Sequence, residues 1–390
     1  MAGDHEGVVK VACWFGWCCG ERQSVKTDGG NSTSRGVLAE FLRGATQPSL
    51  AGLIGIIVVA SGLFAACLVF ITPRNIARID PGYLMTSRYD SWVVHSSTVL
   101  SLAEFGVEPG TRPVALFGTS ALHHAVTSVE ELGDQIEGLT DQRVRVYPLW
   151  SDALWVWDIT NAIGMLPDEF PGVVVLSLSA LSFCREGEGI DRLNTQPRAA
   201  YTSEQLREEM RIQGVEPRGL TGIYFLDESR FFTVRLSAVR NIVFGPRRQG
   251  RLFDGQNQLP DPTRWDRIMA AMNSRLEQYD AAHGQVFDAV GRIIDALHSR
   301  GARVVICEPP INPYAMTRMD QAVFEKHRVN MRSFASERGI EYWDLRSDVP
   351  LPEAEFNDDW THLTKGAGRE AYTAELGKRI ARLLSERIEQ

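Results

Sequence analysis

Three features of the sequence predict an α/β fold with a parallel five-strand sheet, preceded by one transmembrane helix. Short apolar runs alternate along residues 113–390 with longer stretches of helical periodicity, which is the pattern of a doubly wound sheet. The run at residues 172–178, GVVVLSL, is apolar almost throughout, as in strands that helices cover on both faces. Residues 50–72 contain no charged side chain at all.

The uncharged segment at residues 50–72 is long enough to cross a membrane. As a helix its 23 residues span about 34 Å, and a bilayer has a hydrocarbon core of about 30 Å. A buried core helix seldom runs so far without a charge, and a cleaved signal peptide has a shorter apolar core closer to the chain start. Arg35 and Arg43 flank one side and Arg74 and Arg78 the other, so the positive-inside rule does not decide the orientation.

Residues 1–49 are predicted to be a flexible tail, because they lack periodicity and residues 27–36 are rich in Gly, Ser and Thr. Cys13, Cys18 and Cys19 lie in this tail, and their spacing is a poor zinc signal. Acylation of these thiols and plain free cysteines both remain open. An overextended gene start would also explain the tail.

The pattern predicts one domain at residues 113–390, joined to the membrane segment by a linker at residues 73–112 that holds a short helix near residues 97–105. An insertion at about residues 184–262 interrupts the alternation and is expected to cover the carboxyl edge of the sheet. The five predicted strands are residues 114–117, 143–147, 172–178, 303–307 and 341–345. The predicted helices cover residues 120–132, 153–165, 203–213, 225–243, 264–300, 322–338 and 365–387.

A serine follows the first predicted strand at a strand-to-helix turn. Residues 114–126 read VALFGTSALHHAV, in which the strand ends at Gly118 and the chain passes through Ser120 into a helix. Such a turn exposes the hydroxyl at the carboxyl edge of the sheet, close to helix N–H groups that stabilise developing negative charge. Ser120 is therefore the candidate nucleophile, although turn and cap preferences by themselves also produce a Gly-x-Ser pattern.

A candidate base and acid for this serine lie near the other end of the chain, at His362 and Asp359. Acyl transfer by serine needs a histidine that takes the hydroxyl proton and an acid that holds the histidine tautomer. Residues three apart lie on about one helical turn and can point the same way. Because the loop before the last helix and the turn at Ser120 both follow strands, we expect all three side chains at one sheet edge.

Structural roles would also explain these residues. Asp358 or Asp359 could cap the final helix, and His362 could be a polar surface residue. His123 and His124 are closer to Ser120 in sequence, but they lie in its own helix and point along it. They are interpreted as first-turn surface residues, with a catalytic role for either of them as the alternative.

The Gly-x-Ser120 turn after the first strand and the Asp359-x-x-His362 loop before the last helix together resemble the SGNH (GDSL-like) hydrolase superfamily. The resemblance covers roughly residues 112–388. It implies a flavodoxin-like three-layer fold, with Ser120 as nucleophile and Asp359 and His362 as acid and base.

Two motifs of that superfamily are missing from this chain. A glycine is usual after the second strand, where this sequence has LWSD at residues 149–152. The third motif, G-x-N-D, is replaced by SLSALS at residues 177–182. The usual extra oxyanion donors are therefore in doubt. Ser151, through the backbone of its loop, and the Ser179 hydroxyl are the candidate replacements, together with the backbone N–H of Ser120.

The chain is similar to the membrane-tethered branch of the superfamily, whose members act in teichoic-acid D-alanylation and exopolysaccharide O-acetylation. The similarity rests on these two departures, on the membrane segment and on the sequence EPPINP at residues 308–313. The resemblance implies a serine esterase or acyltransferase that moves a small acyl group to or from a cell-envelope polysaccharide. It also implies a cytoplasmic N-terminus, an extracytoplasmic catalytic domain and a multipass membrane O-acyltransferase as partner. The alternative is a non-catalytic glycan-binding or scaffolding partner of such an acyltransferase.

Aromatic and amide side chains near the same edge could contact a sugar. Trp150, Asn312 and Trp360 are the candidates for a substrate lip, since tryptophan offers an apolar platform. Cys184 and Cys307 follow strands that we expect to be neighbours, so an oxidising compartment would permit a disulfide, although two buried thiols are favoured.

The composition limits the partners and cofactors. The formal net charge is −8 and there is no basic stripe, which argues against a nucleic acid partner. The sequence has no metal-ligand cluster and no phosphate-binding glycine loop, so neither a metal nor a cofactor is expected.

Overall fold

The structure is a computed structural model that describes residues 50–79, 91–184, 189–234, 262–357 and 360–386. The chain divides into two units, Met1–Leu63 and Phe64–Gln390, and the sheet belongs to the second. The predicted tail at residues 1–49, with its three cysteines, lies outside the described residues.

One sheet of five parallel strands forms the centre of the second unit, as predicted. Its strands are β1 (Arg112–Gly118), β2 (Val144–Trp150), β3 (Val173–Ser177), β4 (Arg303–Cys307) and β5 (Glu341–Trp343). Their order across the sheet is β2-β1-β3-β4-β5. This is the order of flavodoxin-like doubly wound sheets, in which ligands bind at the carboxyl edge between β1 and β3.

Helices connect and cover these strands. From the start of the described chain to β4 they are α1 (Leu50–Phe70), α2 (Pro73–Ala77), α3 (Ser91–Phe105), α4 (Ser120–Ala125), α5 (Val129–Thr140), α6 (Val156–Ile163), α7 (Arg192–Thr195), α8 (Glu204–Ile212), α9 (Tyr224–Asp227), α10 (Ser229–Val234), α11 (Pro262–Leu276) and α12 (Tyr279–His298). After β4 come α13 (Pro313–Met316), α14 (Gln321–Glu337), α15 (Leu345–Asp348) and α16 (Ala367–Ser385).

The sheet has an apolar core on each face, because successive side chains of a strand point to opposite sides. Val114 and Leu116 of β1 face the smaller core, which α5 and α16 complete. Ala115 and Phe117 face the larger core, to which α3, α6 and α12 contribute. The domain therefore has three layers, with helices on both faces of the sheet.

Helix α1 is long and apolar enough to cross a membrane, and its window of strongest hydropathy is not buried by the rest of the chain. Its 21 residues rise by about 31 Å. The helix ends at Phe70, and Thr72 caps the following helix by accepting a hydrogen bond from the Asn75 N–H at 3.2 Å.

The segment predicted as a linker contains part of the core. Helix α3 begins at Ser91, earlier than the predicted helix near residues 97–105, and its residues 91–100 are all buried. A buried hydrogen bond also fixes this helix, since Ser96 Oγ accepts from the Ala200 N–H at 2.9 Å. Helix α3 is therefore an integral part of the second unit.

Two predicted helices are each divided in the structure. The stretch at residues 120–132 forms α4 and α5, because Ser128 starts a new helix by accepting a hydrogen bond from the Glu131 N–H at 3.0 Å. The stretch at residues 264–300 forms α11 and α12, which are separated at Glu277 and Gln278.

The described part of the insertion packs against the helical layer. Helix α8 agrees with the prediction for residues 203–213, and Ser203 caps it. Asn161 of α6 binds both the carbonyl of Tyr201 and the N–H of Ser203, at 2.9 and 2.8 Å. Glu209 of α8 forms an ion pair with Arg292 of α12 at 2.6 Å. Most of the helix predicted at residues 225–243 lies outside the described residues; α9 and α10 form its described part.

Candidate active site

Ser120 is the first residue of α4, at the carboxyl end of β1. Thr119 caps this helix by accepting a hydrogen bond from the Ala121 N–H at 3.3 Å. Gly118 ends the strand where space is tight, since a Cβ there would lie 2.9 Å from Leu122 Cβ and 3.0 Å from Ser177 Cβ. The turn therefore holds the Ser120 hydroxyl at the sheet edge, beside the boundary of β1 and β3.

His362 lies in a loop that short-range pairing closes on both sides. Phe356 and Leu363 form an antiparallel bridge, and the Asn357 N–H donates to the His362 carbonyl at 2.8 Å. His362 therefore lies in a loop before the last helix, as predicted. Asp359, the predicted acid, and Asp358 lie outside the described residues.

Two hydrogen bonds to the loop after β4 hold the His362 loop in place. The buried Thr361 hydroxyl donates to the Pro310 carbonyl at 2.6 Å. The Asn312 N–H donates to the Trp360 carbonyl at 2.8 Å. The rigid sequence at residues 308–313 thus fixes the residues directly before His362.

The turn after β1 and the His362 loop bring Ser120 and His362 into hydrogen-bond contact, although 242 residues separate them in sequence. The distance from His362 Nε2 to Ser120 Oγ is 2.8 Å. Both residues are half-buried, so the pair is partly shielded from water but open to a substrate. This is the geometry that a serine nucleophile and its general base require.

The final helix receives a cap from a residue ahead of the His362 loop. Helix α16 begins at Ala367 after Gly366. The Glu355 carboxylate accepts a hydrogen bond from the Gly368 N–H at 2.8 Å in its first turn. The alternative that Asp358 or Asp359 caps this helix concerns two residues outside the described ones.

A small cleft opens beside Ser120, with about 220 Å³ of space that includes open solvent. Its walls come from three parts of the chain, namely α3, α4 and the end of β2. The lining residues are Ser91, Val94, Ser120, His123, Trp150, Ser151 and Asp152. Helix α3, from the predicted linker, was missed as a source of site residues; its apolar character is the only signal in the sequence.

His123 and His124 belong to this site, so their interpretation as surface residues is wrong. The His124 ring is buried and lies against that of His362, with centroids 4.6 Å apart. The His123 ring stacks on Trp150 at 5.3 Å. Burial, with smaller contributions from the positive charges of Arg369 and His362, lowers the pKa of His123 to about 4, so its imidazole is neutral at neutral pH.

Arg369 of α16 connects the part of the site on α4 to the part that contains His362. Its Nη2 donates to the His123 carbonyl at 3.4 Å, and its Nε donates to the His124 carbonyl. A guanidinium at these carbonyls satisfies the end of α4 and complements its dipole. Arg369 thereby ties the helix that begins with Ser120 to the helix that follows His362.

The two candidate oxyanion serines have different positions. Ser151 lines the cleft, but its N–H donates to the Gly118 carbonyl at 3.1 Å, and its hydroxyl donates to Ser91 Oγ at 3.2 Å. Ser179 precedes the short helix Ala180–Phe183, and its N–H donates to Ser182 Oγ at 3.3 Å. Among the described residues, no hydrogen bond joins Ser179 to Ser120 or His362.

The three lip candidates also differ. Trp150 forms a wall of the cleft and is buried. Asn312 is buried as well, and its side chain caps α13 by accepting a hydrogen bond from the Tyr314 N–H at 2.9 Å. Asn312 is therefore a structural residue and not an exposed lip. Trp360 is half-buried and packs against the larger core.

Cys184 and Cys307 are free thiols, and they lie in the two different cores of the sheet. Burial raises the pKa of each to about 12, which makes both thiols unreactive. Among the described residues there is no group of three or more His, Cys, Asp or Glu side chains that could hold a metal ion.

Comparison with protein-family models finds no matching family, and comparison with curated proteins finds no matching relative. The class that fold and geometry define is thus an α/β protein with a candidate membrane helix and a Ser–His pair at the carboxyl edge of its parallel sheet.

Proposed function

We propose that this protein is a membrane-anchored serine esterase or acyltransferase of the SGNH type, which moves a small acyl group to or from a cell-envelope polysaccharide. The observation that carries the proposal is the 2.8 Å distance between Ser120 Oγ and His362 Nε2. The flavodoxin-like strand order supports it, because this fold places ligands where Ser120 lies.

The reaction proceeds in two acyl-transfer steps. His362 Nε2 accepts the Ser120 proton while Ser120 Oγ bonds to the acyl carbon, and the carbonyl electron pair moves to oxygen. The intermediate collapses when His362 returns the proton to the leaving alcohol oxygen, which produces an acyl-serine. Water or a sugar hydroxyl then attacks the acyl carbon by the reverse sequence. Asp359 is proposed as the acid that holds Nδ1–H of His362, so that Nε2 is free of hydrogen when it acts as base.

The cleft supports a small acyl group. Val94 and the Trp150 ring offer apolar contact to a short acyl chain, and the other lining residues are polar. A polysaccharide would approach from the open side, and Trp360, which is half-buried and two residues before His362, is the remaining lip candidate. Hence the acyl group, and not the sugar, is expected to enter the protein.

The candidate membrane helix supports a location at the cell membrane. In the proposed topology the N-terminus is cytoplasmic and the catalytic domain is extracytoplasmic, because its polysaccharide substrate is there. A multipass membrane O-acyltransferase is the proposed partner, since a domain outside the cell needs an acyl donor delivered across the membrane.

A fluorophosphonate probe tests this proposal, since it bonds only to activated serines. We expect the detergent-solubilised full chain to be labelled at Ser120 and to hydrolyse p-nitrophenyl acetate faster than the octanoate. Ser120→Ala should abolish labelling and lower the esterase rate by about 10³-fold or more. Ser385→Ala, at an exposed serine of α16, is the control and should behave like the parent chain. If the parent chain neither reacts with the probe nor cleaves the acetate, the proposal is wrong.

One observation favours the second candidate function, a non-catalytic glycan-binding or scaffolding partner of an acyltransferase. The Ser151 N–H is bonded to the Gly118 carbonyl, so an expected oxyanion donor is already engaged. Under this alternative, a chain carrying both Ser120→Ala and His362→Ala binds the envelope polysaccharide as well as the parent does, and the parent is not labelled.

A further inference from the structure

An acyl-transfer site at Ser120 needs hydrogen-bond donors for the oxyanion, and the structure does not place either expected donor for this role. The Ser151 N–H is bonded to the Gly118 carbonyl. Ser179, whose hydroxyl was the other expected donor, is not among the described residues that line the cleft. The Ser120 N–H, in the first turn of α4, can serve as one donor because first-turn N–H groups have no partner within the helix. A single donor is weaker than the pairs on which acyl-transfer enzymes rely.

His123 is placed to be the second donor. It lies three residues after Ser120 in α4, and side chains at that spacing are neighbours on a helix surface. Both residues line the same cleft. Within the described part of the chain, the His123 ring makes no hydrogen bond, so its N–H is available to a substrate.

The ring of His123 is also held in place before a substrate arrives. It stacks on Trp150 with an interplanar angle of 23°, and Trp150 is itself buried. The His123 main chain is fixed by the Arg369 guanidinium at its carbonyl. A donor that is oriented in advance costs no reorganisation when charge develops, and this preorganisation is the source of oxyanion stabilisation.

We propose that His123 is a catalytic residue of this site, and that its ring N–H binds the oxyanion of the tetrahedral intermediate formed at Ser120. The inference rests on the proposed function. When Ser120 Oγ bonds to the acyl carbon, the carbonyl oxygen gains a negative charge and His362 takes the Oγ proton. When the intermediate collapses, the carbonyl re-forms, the bond from the acyl carbon to the leaving alcohol oxygen breaks, and that oxygen takes the proton from His362. Deacylation runs the same way, with water or a sugar hydroxyl attacking and Oγ leaving. In both steps His123 donates a hydrogen bond to the oxyanion without losing its own proton.

The protonation state of His123 suits this role. Its pKa is lowered to about 4, chiefly by burial, so the ring at neutral pH is an imidazole with one N–H and no charge. A neutral imidazole can polarise a carbonyl group. Its neutrality also avoids charge repulsion with His362 when His362 becomes protonated during the reaction.

Two substitutions at His123 distinguish the loss of its N–H donor from the loss of its packing on Trp150. His123→Phe keeps an aromatic ring on Trp150 but removes the N–H, whereas His123→Gln keeps an N–H donor. With p-nitrophenyl acetate and the full chain in detergent, we expect H123F to lower kcat by about 10²-fold to 10³-fold with little change in KM. H123Q should retain kcat to within about tenfold of the parent. His298→Phe, at an exposed histidine of α12, is the matched control and should leave kcat unchanged.

A thionoacetate ester supplies a readout that a purely structural role would not change. It places sulfur, a weak hydrogen-bond acceptor, where the oxyanion forms. The parent chain should therefore prefer the oxygen ester, and this preference should fall in H123F and persist in H123Q. Should H123F fail to fold, His123→Leu provides a donor-free side chain of smaller volume for the same comparison.

The outcomes distinguish this inference from the function on which it rests. If H123F or H123L retains the parent kcat and the oxygen preference while Ser120 is still labelled, the role of His123 is overturned and the esterase proposal stands. If the parent chain is neither labelled nor active, both are overturned.

Discussion

At the scale of a single residue, the His95 side chain connects β2, whose end lines the cleft, to the insertion. Its Nδ1 lies 3.2 Å from the Leu149 carbonyl and its Nε2 lies 2.7 Å from the Tyr201 hydroxyl. A carbonyl only accepts, so Nδ1 carries the hydrogen and Nε2 accepts from Tyr201. Burial lowers the pKa of His95 to about 4, because the ring has no water to stabilise a positive charge.

The fold should therefore lose stability in acid through His95. In the unfolded chain the histidine pKa is about 6.5. Since the folded pKa is lower, the contribution of His95 is complete above pH 6.5 and is lost as the pH falls towards 4, by about 3 kcal/mol. The measurement is the free energy of unfolding in urea, with the full chain in detergent. The difference between the parent and His95→Gln should be smaller at pH 4.5 than at pH 7.5; a difference that does not vary with pH would contradict this.

At the scale of an element, the turn between β1 and α4 sets the position of Ser120. Gly118 ends the strand with no room for a side chain, and Thr119 begins the helix. The sequence GTS was sufficient to predict this turn, because each residue type has a local conformational role. The end of α4 at Ala125 could not be predicted in the same way, because Arg369, remote in sequence, holds its last carbonyls.

Gly118→Ala should displace Ser120, the proposed nucleophile. The added methyl group would press on Leu122, two residues after Ser120, so α4 must shift away from the strand. We expect a loss of about 1–3 kcal/mol in the free energy of unfolding and slower fluorophosphonate labelling of Ser120. Gly138→Ala is the control, since a Cβ there meets nothing within 4 Å; it should stabilise α5 by about 0.5–1 kcal/mol. Parent-like labelling of the Gly118→Ala chain would show that the turn tolerates the shift.

For the whole molecule, the proposed function depends on which side of the membrane the domain occupies. The positive charges on the two sides of α1 balance, so charge alone does not orient it. The acidic domain carries the net charge of −8, because the five basic and five acidic residues at positions 1–49 cancel. The proposed substrate, an envelope polysaccharide, requires the second unit to be outside the cytoplasm.

An accessible cysteine reports this topology in intact cells. Val329, on α14, is 52% exposed, so Val329→Cys offers a reactive thiol on the domain surface. In a chain whose Cys13, Cys18, Cys19 and Cys67 are replaced by serine, a membrane-impermeant maleimide should label this position without lysis. The same chain without Val329→Cys is the control, since the thiols of Cys184 and Cys307 are buried. Labelling only after lysis would place the domain in the cytoplasm.

The amino-acid sequence by itself determined the sheet, the candidate membrane helix and the Ser120–His362 pair. All five strands and their parallel direction follow from local apolar patterns, and the pair follows from residue types at strand ends. These are properties of short stretches of sequence, so they can be predicted without knowing which elements pack against one another.

Only the tertiary structure decided what surrounds the pair. Trp150 and His123 are stacked, α3 enters the core and lines the cleft, and Asn312 turns inward to cap α13. The stacking, the position of α3 and the burial of Asn312 depend on partners far away in sequence, because burial is a property of the packed chain. The cap itself is local, since Tyr314 lies only two residues after Asn312. The sequence could thus predict the Ser120–His362 pair, whereas the oxyanion donor proposed at His123 depends on packing.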